Sequence, residues 1–411
     1  MTDSTADFCV VGAGPAGLTL ALLLARSAVR VTVVERSRSL DREFRGDILQ
    51  PGGMRLLHEL GVLDAARERG AHEHDGFVVT DRGRVLLDSD YRRLPGPFNC
   101  LLSIPQRNLL DALLAECRRY DGFTYVDGSK VTELIYENGV VRGVMCGANR
   151  VLAHCVVGAD GRYSKVRQLA GIGDGRIDNF DQDVMWFKLP AFGQRPRQVR
   201  VFRESGNPAI AYASAPDSIQ CGWTLPHKAY RDVAGDGIGP LKEKLCAALP
   251  PYAELIDREI NGIGDLTLLD VFSGNADTWV RDGLVLIGDA AHTHGPIGAQ
   301  GINLAIQDAV LLHPVLMESL RAKDTSAVFF DRYTGPRRRD INRIMKIQGM
   351  QGRMMLAPGG GRLRPAVAKA VAKVVARGPI YRRVLGTLAF GNPNIAVAAE
   401  LFAGGRTVGG N

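Results

Sequence analysis

The chain has 411 residues, 45% of them hydrophobic, enough to bury a large core and to hold two domains plus an extension. No apolar run reaches the roughly 18 residues that span a bilayer, the start lacks a signal-peptide layout, and Cys9, Cys100, Cys117, Cys146, Cys155, Cys221 and Cys246 are scattered without a CxxC, which reads as free thiols in a reducing cytoplasm and no metal framework. The net charge of +7 is lopsided, with 14 Lys and Arg against 2 Asp and Glu from Gly335 onward; no basic–aromatic interleaving points to nucleic acid.

The amino terminus opens with an apolar strand, Ala6 to Val11, followed by Gly12-Ala13-Gly14-Pro15-Ala16-Gly17 and a helix from Leu18 to Arg26. This is dinucleotide-fingerprint spacing: Gly12 permits the tight turn, Gly14 lets a pyrophosphate reach the backbone, and Gly17 lets helix and strand pack closely. A second strand, Val29 to Val34, ends at Glu35 and Arg36; the carboxylate suits the ribose hydroxyls of an adenosine and would repel a 2′-phosphate. The fingerprint does not choose between NAD and FAD, because both carry that adenosine.

Next come Phe44-Arg45-Gly46-Asp47, a hairpin over Asp75 to Leu94, and Ile104-Pro105-Gln106-Arg107 opening a helix over Asn108 to Arg118. Val156-Val157-Gly158-Ala159-Asp160-Gly161 reads as a strand end and turn. Four runs then read as successive strands: Val184 to Pro190, Gln198 to Phe202, Ala209 to Ala213 and Gln220 to Leu225. They form an antiparallel sheet that takes in the hairpin. Trp186, Phe202, Tyr212 and Trp223 are its candidates for a substrate pocket wall, and Leu241 to Glu259 reads as a helix returning to the first domain.

The most informative stretch is Asp282 to Ala309. An apolar strand, Leu284 to Ile287, runs into Gly288-Asp289. The loop Gly295-Pro296-Ile297-Gly298-Ala299-Gln300-Gly301 follows, and a helix starts near Ile302 and Asn303. Loop amides and a helix N-terminus present positive partial charge to an electron-rich group. Beyond it, Arg362 to Arg383 spaces basic residues among Val, Ala, Leu and Ile, as a basic amphipathic helix does. Its apolar face either packs on the first domain or rests on an anionic membrane surface.

The fingerprint, the Asp160-Gly161 turn and the Gly288-Asp289 motif resemble, in order and spacing, the class A flavoprotein monooxygenases, the para-hydroxybenzoate hydroxylase and UbiH-like family. The resemblance runs from Asp7 to Gly352. It implies that Asp289 holds the ribityl hydroxyls of FAD and that Asp160 and Gly161 lie near the pyrophosphate. Gly288, Gly298, Ala299, Gln300, Gly301, Ile302 and Asn303 would face the flavin ring, where negative charge collects on reduction. Arg45 would reach the flavin and the phosphates, Gln106 and Arg107 the ribityl chain and pyrophosphate, and Pro296 would sit over the flavin beside the substrate. The family loop has two adjacent glycines before Gln300-Gly301; here the second is Ala299, whose Cβ disfavours positive φ.

The same resemblance implies the chemistry: NAD(P)H, binding transiently, reduces FAD, and the reduced flavin captures O2 as a C4a-hydroperoxide that hydroxylates an aromatic or polyketide-like molecule. Arg45, Pro296 and His294 are the catalytic candidates, with His294 as a substrate base, His227 and Tyr212 as weaker alternatives, and His292 packing behind the loop. The expected fold is α/β: a Rossmann-like FAD-binding domain (1–74, 98–180 and 265–352), an inserted antiparallel substrate domain (75–97 and 181–264) and a basic helical extension (353–411), acting as monomer or homodimer. Three rivals stand beside this reading. A flavin halogenase needs a WxWxIP motif, of which Trp186-Phe187-Lys188-Leu189-Pro190 is a partial echo; a geranylgeranyl-reductase-like enzyme has only the basic extension in its favour; the third is a non-enzymatic flavin-bound scaffold.

Overall fold

The computed structural model describes residues 3–41, 47–177, 182–204, 206–235, 237–356 and 379–402. Arg45 and most of the basic stretch Arg362 to Arg383 lie outside them. The strand Asp3–Val11 sits at the centre of an eight-stranded sheet. It pairs in parallel with Val31–Val34 on one side and Asn149–Gly158 on the other. Phe123–Val126 extends the parallel run beyond the first partner, and Leu284–Leu286 beyond the second. Their inner stretches, Phe8 to Val11, Val31, Val33, Val156 and Val157, are apolar and buried because both sheet faces are covered there. The helices Pro15–Arg26, Gln106–Cys117 and Gly301–Ala322 bury Leu20, Leu113 and Leu312 completely. The first and last are buried along most of their length, whereas Gln106–Cys117 keeps a wet side with Arg107 exposed and Asn108, Asp111 and Glu116 half-buried.

The second sheet has seven strands, in the order Thr267–Leu269, Gln182–Pro190, Ser218–Pro226, Ala209–Ser214, Gln198–Arg203, Gly76–Asp81 and Arg84–Asp90. Its pairs are antiparallel except where Gly76–Asp81 joins Gln198–Arg203 in parallel, because that hairpin arrives from a distant part of the chain. The period of two decides what each residue faces. Met185, Phe187, Leu189, Ala211 and Cys221 turn to the back and pack on Leu241, Leu245 and Ile256. The expected helix over Leu241 to Glu259 is two, Ile238–Ala248 and Ala253–Glu259, because Pro250 and Pro251 interrupt it.

The extension folds back onto the body. Helix Pro379–Phe390 packs on helix Pro51–Glu59, with Leu385, Leu388 and Ala389 buried. Gly52 makes the approach possible: a Cβ there would lie 2.5 Å from the Phe390 carbonyl oxygen. No described helix is long and apolar enough to cross a membrane.

Candidate active site

At the nucleotide end the glycines do what their spacing demands. Gly12 has φ +106° and a Cβ on it would meet the Ala159 carbonyl at 2.5 Å, while a Cβ on Gly17 would meet the Gly12 carbonyl at 1.9 Å. Gly14, Pro15 and Ala16 open onto a cavity of about 310 Å³ that lies between the two sheets. Glu35 is buried and accepts the Ala13 amide at 2.8 Å and the Ser37 amide at 3.0 Å, so its carboxylate is held beside the fingerprint turn. Arg36 beside it is exposed.

Two of the expected contacts are placed differently. Arg107 points into solvent and pairs with Asp41 at 2.7 Å and Asp111 at 3.4 Å, while its neighbour Gln106 is buried on the cavity wall. The Asp160 carboxylate caps the short helix Lys165–Leu169, accepting the Lys165 amide at 2.7 Å and the Val166 amide at 3.0 Å. That capping turns it away from the cavity, and Ala159, Gly161 and Arg162 line the wall instead.

The Gly288–Gly301 loop forms the floor. Gly288 has φ +58° and Gly298 φ +75°. Ala299 adopts φ +49° despite its Cβ, so the left-handed backbone survives the missing glycine. Two side chains hold it there: Asn303 Nδ2 donates to the Ala299 carbonyl at 2.7 Å and Gln300 Nε2 to the Gly298 carbonyl at 3.0 Å. Asn303 Oδ1 also accepts the Gln50 amide at 2.9 Å, so its side chain braces the loop and does not line the cavity. The 22-residue helix Gly301–Ala322 begins at the cavity with Gly301 and Ile302 on its wall. Asp289 is half-buried on the same wall, its Oδ2 3.8 Å from Arg162 Nε.

Behind the loop lies a buried polar network. His292 Nε2 is 2.7 Å from Asp308 Oδ2, which also accepts the Gly288 amide at 2.8 Å, and Arg337 Nε donates to Asp308 Oδ1 at 2.7 Å. Burial alone would raise the Asp308 carboxyl, but His292 and Arg337 outweigh it and hold it at about 2. His294 continues the chain, one ring nitrogen 2.9 Å from His292 Nδ1 and the other 2.9 Å from Gln348 Oε1. Both nitrogens are engaged, and burial with the neighbouring His292 pushes the ring down to about 3. Although His294 touches the cavity wall, it has no nitrogen left to take a substrate proton. His227 is bound to Asp183 at 2.8 Å, outside the cavity wall.

The roof is the front of the seven-stranded sheet. Trp186 and Tyr212 are on it, with Thr224 on the strand between them and Val199 and Val201 on the strand beyond Tyr212. Gly222 lies across from Trp186, and a Cβ there would come within 2.8 Å of the indole, so the glycine gives that ring its place. Phe202 and Trp223 sit at the opposite parity and pack into the helical core behind the sheet. Tyr212 is buried, and that burial, with Asp47 adding, raises its phenol well above the usual value. It therefore stays protonated and can donate a hydrogen bond, but is no base. Pro296 is exposed at the cavity edge, and Leu388 from the extension closes the far side.

The site fits a large, partly polar, electron-rich cofactor. Buried Gln106 Oε1 and Gln50 Oε1 lack a partner among the described residues, and both side chains border the cavity that the fingerprint turn and helix N-terminus face. The sequence profile of a family described as FAD binding domain matches residues 5–347. The chain belongs to this FAD-binding family. It is 57% identical over 404 residues to the 6-methylpretetramide 4-monooxygenase of Streptomyces rimosus, covering 97% of this chain and 96% of that one. It is 25% identical to protoasukamycin 4-monooxygenase of Streptomyces nodosus subsp. asukaensis, covering 83% of this chain and 86% of that one. The fold matches the crystal structure of p-nitrophenol 4-monooxygenase from Pseudomonas putida, with a TM-score of 0.77, 19% identity and 95% and 100% of the two chains covered. As a member of this family, the enzyme is an FAD-dependent monooxygenase that consumes NAD(P)H and hydroxylates an aromatic or polyketide molecule. That sets aside the halogenase, prenyl-reductase and scaffold readings.

Proposed function

We propose that the enzyme hydroxylates a phenolic ring of a fused aromatic polyketide, 6-methylpretetramide or a close relative. The identity of 57% along nearly the whole of both chains carries this reading. The cavity supports it, because Trp186, Val199, Val201 and Leu388 offer a flat apolar enclosure for fused rings.

Gly12, Gly14 and Gly17 would cradle the pyrophosphate of FAD and Glu35 its ribose, with Gln106 and Asp289 along the ribityl chain. The start of helix Gly301–Ala322 would then face the flavin. Bound there, FAD supplies the activation of O2 and the transfer of one oxygen atom. The protein's part is to hold the ring against Pro296 and Trp186 under the roof formed by 75–97 and 181–264, and to exclude water. With one nucleotide fingerprint, NAD(P)H binds transiently. The free thiols among the described residues, including buried Cys9, Cys117 and Cys155, suit a reducing cytoplasm.

Incubating the holoenzyme with 6-methylpretetramide, NADPH and air should give a product heavier by one oxygen. Anaerobic stopped-flow reduction by NADPH should run at least about tenfold faster with that substrate than without it, a barrier change of about 1.4 kcal/mol. No oxygenated product would overturn the substrate reading.

A further inference from the structure

Asp47 is a buried carboxyl group on the wall of the substrate cavity, and nothing in the family's nucleotide-binding motifs accounts for it. It follows Gly46 in the chain and immediately precedes the short strand Ile48–Leu49. That strand pairs with Leu101–Ser103, and the Asp47 carbonyl accepts the Ile104 amide at 2.7 Å, which fixes the backbone beneath the side chain. Its described charged and titratable neighbours come from three elements. The Gln106 backbone amide lies at the start of helix Gln106–Cys117 and Lys188 on strand Gln182–Pro190. Tyr212 on strand Ala209–Ser214 feels the charge of Asp47.

We propose that Asp47 is the base that takes the proton from the substrate's phenol. The proposal rests on the phenolic-substrate reading above. An electrophilic oxygen adds to an aromatic carbon far more readily when the ring carries a phenolate, so a base within the cavity is worth having. The other candidates are spoken for: both His294 nitrogens are hydrogen-bonded, His227 is paired with Asp183 off the wall, and Tyr212 stays protonated. Asp47 combines position with proton affinity. Burial raises its carboxyl to about 7, with Lys188 and the Gln106 amide pulling the other way. A carboxyl poised there is ionised often enough to accept a proton and far more basic than an ordinary carboxylate.

The proton balance closes within one turnover. The phenol O–H bond breaks and its proton moves to an Asp47 carboxylate oxygen. The ring carbon ortho or para to the phenolate supplies the electron pair for the new C–O bond as the O–O bond of the O2-derived electrophile breaks; the second oxygen atom leaves as water, with the two electrons supplied by NAD(P)H. That carbon then loses its hydrogen as a proton, which balances the proton the departing oxygen takes up to become water, and the ring regains aromaticity. The Asp47 proton returns to the ring oxygen, leaving the carboxylate as it began. Tyr212, kept protonated, donates a hydrogen bond on the same wall.

The test is the pH dependence of 6-methylpretetramide hydroxylation by wild-type and Asp47→Asn holoenzymes, with kcat and KM separated. The wild-type kcat should rise with pH through about 7. In Asp47→Asn, kcat at neutral pH should fall roughly 100-fold or more with KM little changed, and recover as the pH passes the phenol's own ionisation. A wild-type pH limb retained in Asp47→Asn would overturn the proposal. A second readout needs no turnover: absorption of the anaerobic complex without NADPH. The wild-type complex should show the long-wavelength phenolate band below the pH at which the free phenol ionises. A neutral phenol in that complex overturns the proposal even if Asp47→Asn fails to hold FAD. Absence of any oxygenated product from wild type counts against the substrate reading instead, and the same binding spectra taken with 2-naphthol then decide the role of Asp47.

Discussion

The two sides of the Gly288–Gly301 loop are built on opposite principles. Behind it, His292, His294, Asp308 and Arg337 form a buried chain in which each ring nitrogen of both histidines and both Asp308 oxygens has a partner. In front of it, Gln50 Oε1, Gln106 Oε1, Gln351 Oε1 and Trp186 Nε1 are buried without a partner among the described residues. A half-satisfied polar group is costly to keep, so a wall of them marks where a ligand supplies the missing bonds. The satisfied side fixes the shape of the loop. The unsatisfied side uses that shape.

The sharpest break in that comparison is on the supporting side. Arg337→Ala removes the guanidinium from a fully buried carboxylate and should cost about 3–5 kcal/mol of folding stability, read by chemical denaturation, with FAD lost as the loop gives way. Replacing Asp289 with Ala on the ligand side should leave the fold intact but lower FAD affinity at least about tenfold, from the loss of charge-assisted bonds worth roughly 1.5–3 kcal/mol each. Equal FAD affinity in titrations of the two proteins would show that Asp289 does not hold the cofactor.

The third effect concerns acid. His294 has a folded-state value of about 3, below the ordinary 6.5. The unfolded chain therefore binds its proton first, and the stability it contributes is complete above about 6.5 and is lost as the pH falls toward 3. Melting temperature should drop on acidification from pH 7 to pH 5, and His294→Gln should flatten that slope by something on the order of 1–2 kcal/mol. The smallest effect is Ala299→Gly. Relieving the positive φ should stabilise the loop by no more than about 1 kcal/mol, because glycine's extra freedom when unfolded offsets part of the gain. A clear loss of stability would mean that the Ala299 methyl group packs usefully.

Much of this was readable in the chain because backbone constraints leave marks. Gly12, Gly17 and Gly288 occupy positions where any Cβ meets a neighbour or the φ is positive, so the residue type announces the geometry. Strand periodicity located the second sheet but not its facing: Phe202 and Trp223 were expected on the pocket wall for being aromatic, whereas parity puts them behind it. Alternation with Val199, Val201 and Thr224 was the available signal. Asp47 carried none, since one acid in a loop has no spacing to betray it, and only the folding of a helix start and two distant strands around it makes it unusual. Arg107 and Asp160 show the complementary case, where a motif's charged side chain also makes a surface ion pair or a helix cap.

Helix Pro379–Phe390 puts Leu388 into a cavity whose opposite wall begins at Gly14. A ribosome therefore releases the nucleotide cradle hundreds of residues before it releases the last piece of the reaction chamber. The enclosure that keeps water from the reacting ring is completed only when helix Pro379–Phe390 docks on Gly52, long after the glycine turn has been made.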